Sequence, residues 1–145
     1  MLLKGTFQNS IDAKGRMNIP AKLRTKLGDS VVLAKGYDDC LYIFAEEEFE
    51  VYVGEHIRNR PEEDDDARLL RAFFLGNSWD CDVDKQGRIN LPADYIEFAG
   101  IEKEITCIGL GDRIGVWAKG RYEEMMRGSE MNPKKLIASM GKYVQ

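Results

Sequence analysis

The chain is written twice. Residues 11–21 read Ile-Asp-Ala-Lys-Gly-Arg-Met-Asn-Ile-Pro-Ala, and residues 83–93 read Val-Asp-Lys-Gln-Gly-Arg-Ile-Asn-Leu-Pro-Ala. Asp, Gly, Arg, Asn, Pro and Ala are identical at corresponding positions, and Ile/Val, Met/Ile and Ile/Leu keep the apolar pattern. The correspondence runs on through Leu27-Gly28 with Ala99-Gly100, then Leu41 to Ala45 with Ile114 to Ala118, then Phe49-Glu50 with Tyr122-Glu123. The offset moves only from 72 to 73, so a unit of about 45 residues has been duplicated. Such a unit is near the lower limit for independent folding. The two copies are therefore expected to share one core and to pair strands about a pseudo-two-fold axis.

Each copy has the same local reading. Residues 6–11 form a short strand, with Phe7 as its large apolar side chain. Asp12-Ala13-Lys14-Gly15 form a tight turn, because Asp suits its first position and Gly tolerates positive φ. Residues 16–19 form a second strand, which Pro20 ends while opening a helix over 21–27. Gly28 stops that helix. Apolar runs at 31–33 and 41–44 predict strands separated by the turn Gly36-Tyr37-Asp38-Asp39. Phe49, Tyr52, Val53 and Ile57 fall at helical spacing within 45–57. The second copy predicts strands at 79–83, 88–91, 105–108 and 114–117, with helices ending at Ala99 and spanning 121–127. An acidic linker and helix, 61–75, joins the halves, its carboxylates lying at the helix N-terminal end. The domain reading is a single domain over 1–127, made of halves at about 1–59 and 77–127. A tail over 128–145 is expected to be partly helical, with Asn132 as N-cap and Pro133 first inside. Its last residues are expected to be mobile.

With 145 residues, 43% hydrophobic and 32% charged, the chain reads as soluble and globular. It contains no apolar run long enough to span a membrane. The start, Met1-Leu2-Leu3-Lys4-Gly5, carries no long apolar stretch, which speaks against secretion. Net charge is −4, but it is unevenly spread. Residues 1–36 carry seven Lys/Arg and two Asp, residues 37–66 carry twelve acids and two arginines, and the remainder carries twelve bases and eleven acids. The segments thus sum to +5, −10 and +1, an asymmetry that signals partners hidden by the whole-chain balance.

Several chemistries find no support. Three cysteines, Cys40, Cys81 and Cys107, with the single histidine His56 do not make a zinc site, and free thiols suit a reducing cytosol. The glycine run at 109–115 has Ile114 where a dinucleotide loop needs Gly. Asp80, Asp82 and Asp84 resemble a calcium loop, but Lys85 and Leu91 stand where Gly and Glu are required. That segment reads as an alternating strand with Trp79, Cys81 and Val83 inward. No nucleophile–base pairing is suggested, so neither catalysis, metal nor cofactor is expected.

What remains is the repeated turn: Asp12, Gly15 and Arg16 in one copy, Asp84, Gly87 and Arg88 in the other. A type I turn with a glycine bulge would place each Arg at the mouth of its hairpin. There it could present its planar fork to a phosphate or a guanine, or pair with the Asp across the turn. The first copy is flanked in sequence by Lys4, Lys14, Lys22, Arg24 and Lys26. The second has Gln86 and Asp94 where Lys14 and Lys22 stand, so the first half is expected to do most of any anion binding.

These doubled motifs, over about 1–127, resemble the MraZ family of bacterial transcriptional regulators of the division and cell wall gene cluster. The resemblance implies an α+β fold: a pseudo-two-fold, swapped-hairpin AbrB-like β-barrel built from two internal repeats, with flanking helices. It implies ring-shaped homo-oligomers that bind short, direct, G-rich DNA repeats upstream of their own gene. It also implies a cytoplasmic, nucleoid-associated protein with no membrane partner. The family's DNA-contacting arginine corresponds to Arg16 and its flanking lysine to Lys14, with Arg88 as the second copy. By charge, Lys22 and Arg24 join the DNA-binding set. Asp12, Gly15, Asp84 and Gly87 hold the turns. The alternative is a ring-forming scaffold whose Arg/Asp turns make subunit contacts and bind no specific DNA.

Overall fold

The computed structural model describes residues 1–128 and 132–141. In chain order the first half contains β1 (Thr6–Ser10), β2 (Arg16–Asn18), α1 (Ala21–Leu27), β3 (Ser30–Lys35), β4 (Leu41–Ala45) and α2 (Glu46–His56). Helix α3 (Asp65–Gly76) follows. The second half repeats the order as β5 (Ser78–Asp82), β6 (Arg88–Asn90), α4 (Ala93–Ala99), β7 (Glu104–Gly109), β8 (Ile114–Ala118) and α5 (Lys119–Gly128). A last helix, α6 (Pro133–Met140), is capped by the Asn132 side chain, which accepts from the Lys134 and Lys135 N–H groups. The expectation for the chain end, residues 142–145, lies outside the described residues.

Helix α3 begins inside the acidic run. Asp64 is its N-cap, accepting from the Asp66 N–H at 2.9 Å, with Asp65 and Asp66 in the first turn, where the helix dipole favours them. Within the expected linker and helix over 61–75, the helix thus takes in the last two acids of the run, because its cap and first two residues are aspartates.

Six strands form one antiparallel sheet in the order β1-β7-β8-β4-β3-β5, and β2 and β6 form a separate two-stranded ribbon. The first strand of each half pairs with the other half: β1 with β7, and β5 with β3. Pairs of repeat-equivalent residues mark the pseudo-two-fold axis. Met17 faces Ile89 in the ribbon, and Tyr42 faces Gly115 where β4 meets β8.

The ladders do not close into a barrel, which corrects that part of the expectation. β1 and β5 are the edges of the large sheet, and among the described residues the main-chain pairing between the β1 and β2 segments is an isolated bridge, Ile11 to Met17. The reason is local. β2 and β6 are three residues long, and Pro20 and Pro92, one residue beyond Ile19 and Leu91, lead the chain into helices.

The sheet is covered on both faces, so β4 and β8 are buried along their whole length. Val31, Leu33, Leu41 and Ile43 point into a core closed by the ribbon and by α1 and α4, with Met17, Ile19, Leu23, Ile89 and Tyr95. Val32, Tyr42, Phe44 and Trp117 point the other way, onto Tyr52, Val53, Ile57 and Phe74 of the α2 and α3 region. Trp79 departs from the expected inward alternation and is 57% exposed. It shares a face with Cys81, which is buried, but it lies on the edge strand β5, where nothing covers its end of the ladder. Within the described residues no helix is long and apolar enough to cross a membrane.

Because each half lends its first strand to the other, a chain of residues 1–59 leaves β1 without β7 and β3 without β5. As a monomer it is expected to give no cooperative melting transition by circular dichroism, and a monomeric fragment with such a transition would contradict the interlock.

Candidate nucleic-acid interface

The two Asp-to-Arg turns are superimposable in their bonding. In the first, the Asp12 N–H donates to the Arg16 carbonyl at 2.9 Å, and the Gly15 N–H donates to the Asp12 carbonyl at 3.0 Å. One Asp12 carboxylate oxygen, Oδ1, accepts from the Lys14 and Arg16 N–H groups, each at 2.9 Å. The other, Oδ2, accepts from Arg16 Nε at 2.8 Å. In the second, Asp84 accepts from the Gln86 and Arg88 N–H groups at 2.9 Å and from Arg88 Nε at 2.9 Å. Gly15 and Gly87 sit at φ 78° and 80°, the left-handed region that glycine enters without a Cβ penalty.

Each carboxylate thus ties the turn backbone to the guanidinium. The arginine side chains are 28% and 25% exposed. Their Nε groups are taken, and their terminal nitrogens have no protein partner among the described residues. Of the two uses weighed from the sequence, the Asp pairing is made at Nε, and it leaves the terminal nitrogens of each fork without a protein partner among the described residues. The Arg backbone N–H favours the ionised carboxyl most; desolvation opposes it, and the guanidinium and the neighbouring N–H add to the lowering. Asp12 and Asp84 are held below the ordinary aspartate value of 3.8.

The ribbon sets where these groups point. Met17 and Ile89 are 0% and 1% exposed and face the core. By strand alternation their neighbours Arg16, Asn18, Arg88 and Asn90 face outward. Across the ladder Arg16 faces Asn90, and Asn18 faces Arg88. The sequence assigned no role to Asn18 or Asn90. The available signal was their identity in both copies at the next outward position after the arginine.

The halves also exchange their flanking helices, which the linear sequence concealed. The Ile19 N–H donates to the Gly87 carbonyl, and the Leu91 N–H donates to the Gly15 carbonyl, both at 2.9 Å. A Cβ on Gly87 would fall 2.0 Å from Arg24 Cζ, and one on Gly15 would fall 3.1 Å from Ile96 Cδ1. Helix α1 therefore lies against the second turn and α4 against the first. Arg24 is half-buried there and donates through Nη2 to the Ile19 carbonyl at 2.8 Å, its Nε enclosed. It is turned into the fold rather than held out as a free cation. Lys22 is exposed and lines a shallow groove with Asn18 and Asn9. Lys14 is exposed on the first turn, and Lys26 is tied to the Leu2 carbonyl at 3.0 Å. So the basic helix stands beside Arg88, while Arg16 is neighboured by α4, which carries Asp94 and Glu97. Lys22 and Arg24, which follow the Arg16 turn in sequence, thus lie in space by the turn of the other half.

Among the described residues no His, Cys, Asp and Glu cluster is placed to hold a metal ion. Burial pushes the Cys40 and Cys107 thiols up to about 12, which leaves them protonated and unreactive.

Two measurements test the turn. A folded-state pKa below the unfolded one adds stability that is complete above the ordinary aspartate range and is lost as pH falls through the folded value. Carboxyl NMR titration of Asp12 and Asp84 should accordingly give midpoints below 3.8. Gly87→Ala must both enter positive φ, at a cost of about 1–2 kcal/mol, and displace Arg24. It should lower the urea midpoint accordingly.

The MraZ family model, described as "MraZ protein, putative antitoxin-like", matches residues 2–72 and 74–140, one segment on each copy of the repeat. A protein named transcriptional regulator MraZ from Thermoanaerobacter pseudethanolicus is 40% identical over 131 residues, covering 90% of this chain and 91% of its own. The namesake from Caldanaerobacter subterraneus subsp. tengcongensis is 36% identical over 142 residues, covering 98% and 99%. That from Natranaerobius thermophilus is 36% identical over 129 residues, covering 89% and 90%. With its repeated Asp-to-Arg turns, its shared sheet and this coverage, the chain belongs to the MraZ family.

Proposed function

We propose that the chain is a sequence-specific DNA-binding transcriptional regulator of the bacterial division and cell wall gene cluster, and not an enzyme. In this reading it binds direct repeats upstream of its own gene as a ring of copies, in the cytoplasm and on the nucleoid. Its relatives' names support the regulatory role. The exchange of β1 and β5 between halves supports an AbrB-like swapped-hairpin arrangement. Residues 1–127 then act as one domain of two halves.

The observation that carries the reading is the outward face of the ribbon. Two guanidinium groups stand there, each gripped at Nε by an aspartate, with the terminal nitrogens left for a ligand. Arg is permanently charged and its fork matches guanine O6 and N7 in the major groove. Arg16 and Arg88 are the base-reading pair in this proposal. Lys14 and Lys22 contact phosphates, and Arg24 supports the second turn from beneath. Asp12, Asp84, Gly15 and Gly87 hold the geometry. One subunit offers few cations, so tight binding comes from repetition: linked copies on linked sites gain effective concentration.

Fluorescence anisotropy with the duplex upstream of this gene and a scrambled duplex, across a salt series, tests the proposal. Wild type should prefer the native duplex, with affinity falling as salt rises. Arg16→Ala and Arg88→Ala should each lose about 1–3 kcal/mol on the native duplex. The half-buried, paired state of both arginines favours one rival, the scaffold whose turns hold subunits together. Loss of the oligomer with unchanged DNA affinity in these variants would establish that rival instead.

A further inference from the structure

Resting on the DNA-binding reading, we infer that Asn18 and Asn90 are specificity-determining residues of the ribbon, each reading an adenine close to the guanine read by the arginine opposite it.

The placement comes first. β2 and β6 form a two-stranded ribbon apart from the large sheet, its inner face committed to the core through Met17 and Ile89. A two-stranded ribbon is narrow enough to enter the major groove. Its outer face is made of two cross-strand pairs, Arg16 with Asn90 and Asn18 with Arg88. Residues directly opposite in an antiparallel pair have Cβ atoms about 4.5–5.5 Å apart. Stacked bases are about 3.4 Å apart along a strand. An Arg–Asn pair therefore spans bases one or two steps apart.

The chemistry then separates the two members. The arginine fork offers only donors and suits guanine, which presents two acceptors. A carboxamide offers one donor and one acceptor, which suits adenine, with its N6 donor and N7 acceptor, and does not suit guanine. Both asparagines are exposed. Among the described residues neither amide group is engaged by the protein: the bond at Asn18 runs from Asn9 Nδ2 to the Asn18 main-chain carbonyl, at 2.7 Å. That bond fixes the backbone of the ribbon and leaves the amide free. A purely structural asparagine would be expected to cap, to close a turn or to bond its neighbours. These two do none of these, and both lie on the face that carries the aspartate-clamped arginines.

The ends of the ribbon are not equal. Asn18 shares its groove with the exposed Lys22, whereas Asn90 stands opposite Arg16, whose turn is covered by α4 with its Asp94 and Glu97. Asn18 with Arg88 therefore has the stronger electrostatic hold on the backbone, and substitution at Asn18 should be felt more than at Asn90.

The experiment uses the full chain and the duplex upstream of its gene. It adds a set in which each adenine in turn is replaced by 7-deazaadenine, which keeps Watson–Crick pairing and removes the N7 acceptor. Asn18→Ala and Asn90→Ala should melt like wild type, since both side chains are exposed. Each should lose roughly five- to a hundredfold affinity on the native duplex. Neither should change affinity for the scrambled duplex, nor the slope of affinity against salt, because no charge is removed. Lys22→Ala, by contrast, should weaken both duplexes and reduce that slope. Wild type should be weakened severalfold by 7-deazaadenine at one position that leaves Asn18→Ala indifferent. Native affinity in both Asn variants, equal losses on native and scrambled duplexes, or a changed oligomer by light scattering would each overturn the inference while leaving the regulator reading intact. Absence of any native preference in wild type would overturn both.

Discussion

The structure depends on strands that neither half can complete alone. Strand β3 lies between β4 of its own half and β5 of the other, and β7 lies between β8 and β1 in the same way. Backbone groups that would otherwise face a bare edge are satisfied across the repeat boundary. The same exchange joins β2 to β6, so the ribbon exists only when both halves are present. Its inner residues, Met17 and Ile89, are then drawn into the same core as Leu33, Ile43, Ile105 and Val116. Folding of the halves and assembly of the outward arginine face are therefore one event.

Within that frame the aspartate of each turn acts on several groups at once. It receives two backbone N–H groups and one guanidinium, so the tightness of the turn and the aim of the arginine are set by the same carboxylate. A side chain that already has its geometry fixed loses less conformational freedom when it meets a ligand. The half-burial of Arg16 and Arg88 is part of this fixing and does not conflict with a binding role.

Most of the elements were legible from local chemistry. Pro20 and Pro92 marked helix starts, Gly15 and Gly87 marked the turns, and the apolar runs at 31–33 and 41–44 marked the strands. The repeat also predicted that the halves would pair. The choice of partner was not legible, because β1 and β5 are chemically able to pair with either half and periodicity says nothing about which. The consequences of that choice were hidden with it: Arg24 beneath Gly87, Ile96 beneath Gly15, and a basic helix transferred to the opposite turn. Exposure of Trp79 was hidden for a related reason, since alternation gives the face of a strand and not whether that end of the face is covered. Asn18 and Asn90 were visible as identical letters, but their side-by-side placement with the arginines appeared only with the ladder register.

The exchange of helices has one further consequence, for orientation. A ribbon with a true two-fold axis could lie on a duplex in either direction and would suit palindromic sites. Here the axis through Met17 and Ile89 relates positions but not charges: one end is bordered by the exposed Lys22, the other by a helix carrying Asp94 and Glu97. That inequality gives a nearly symmetric reader a front and a back. Under the proposed DNA-binding role, that polarity would suit sites arranged head to tail rather than palindromes.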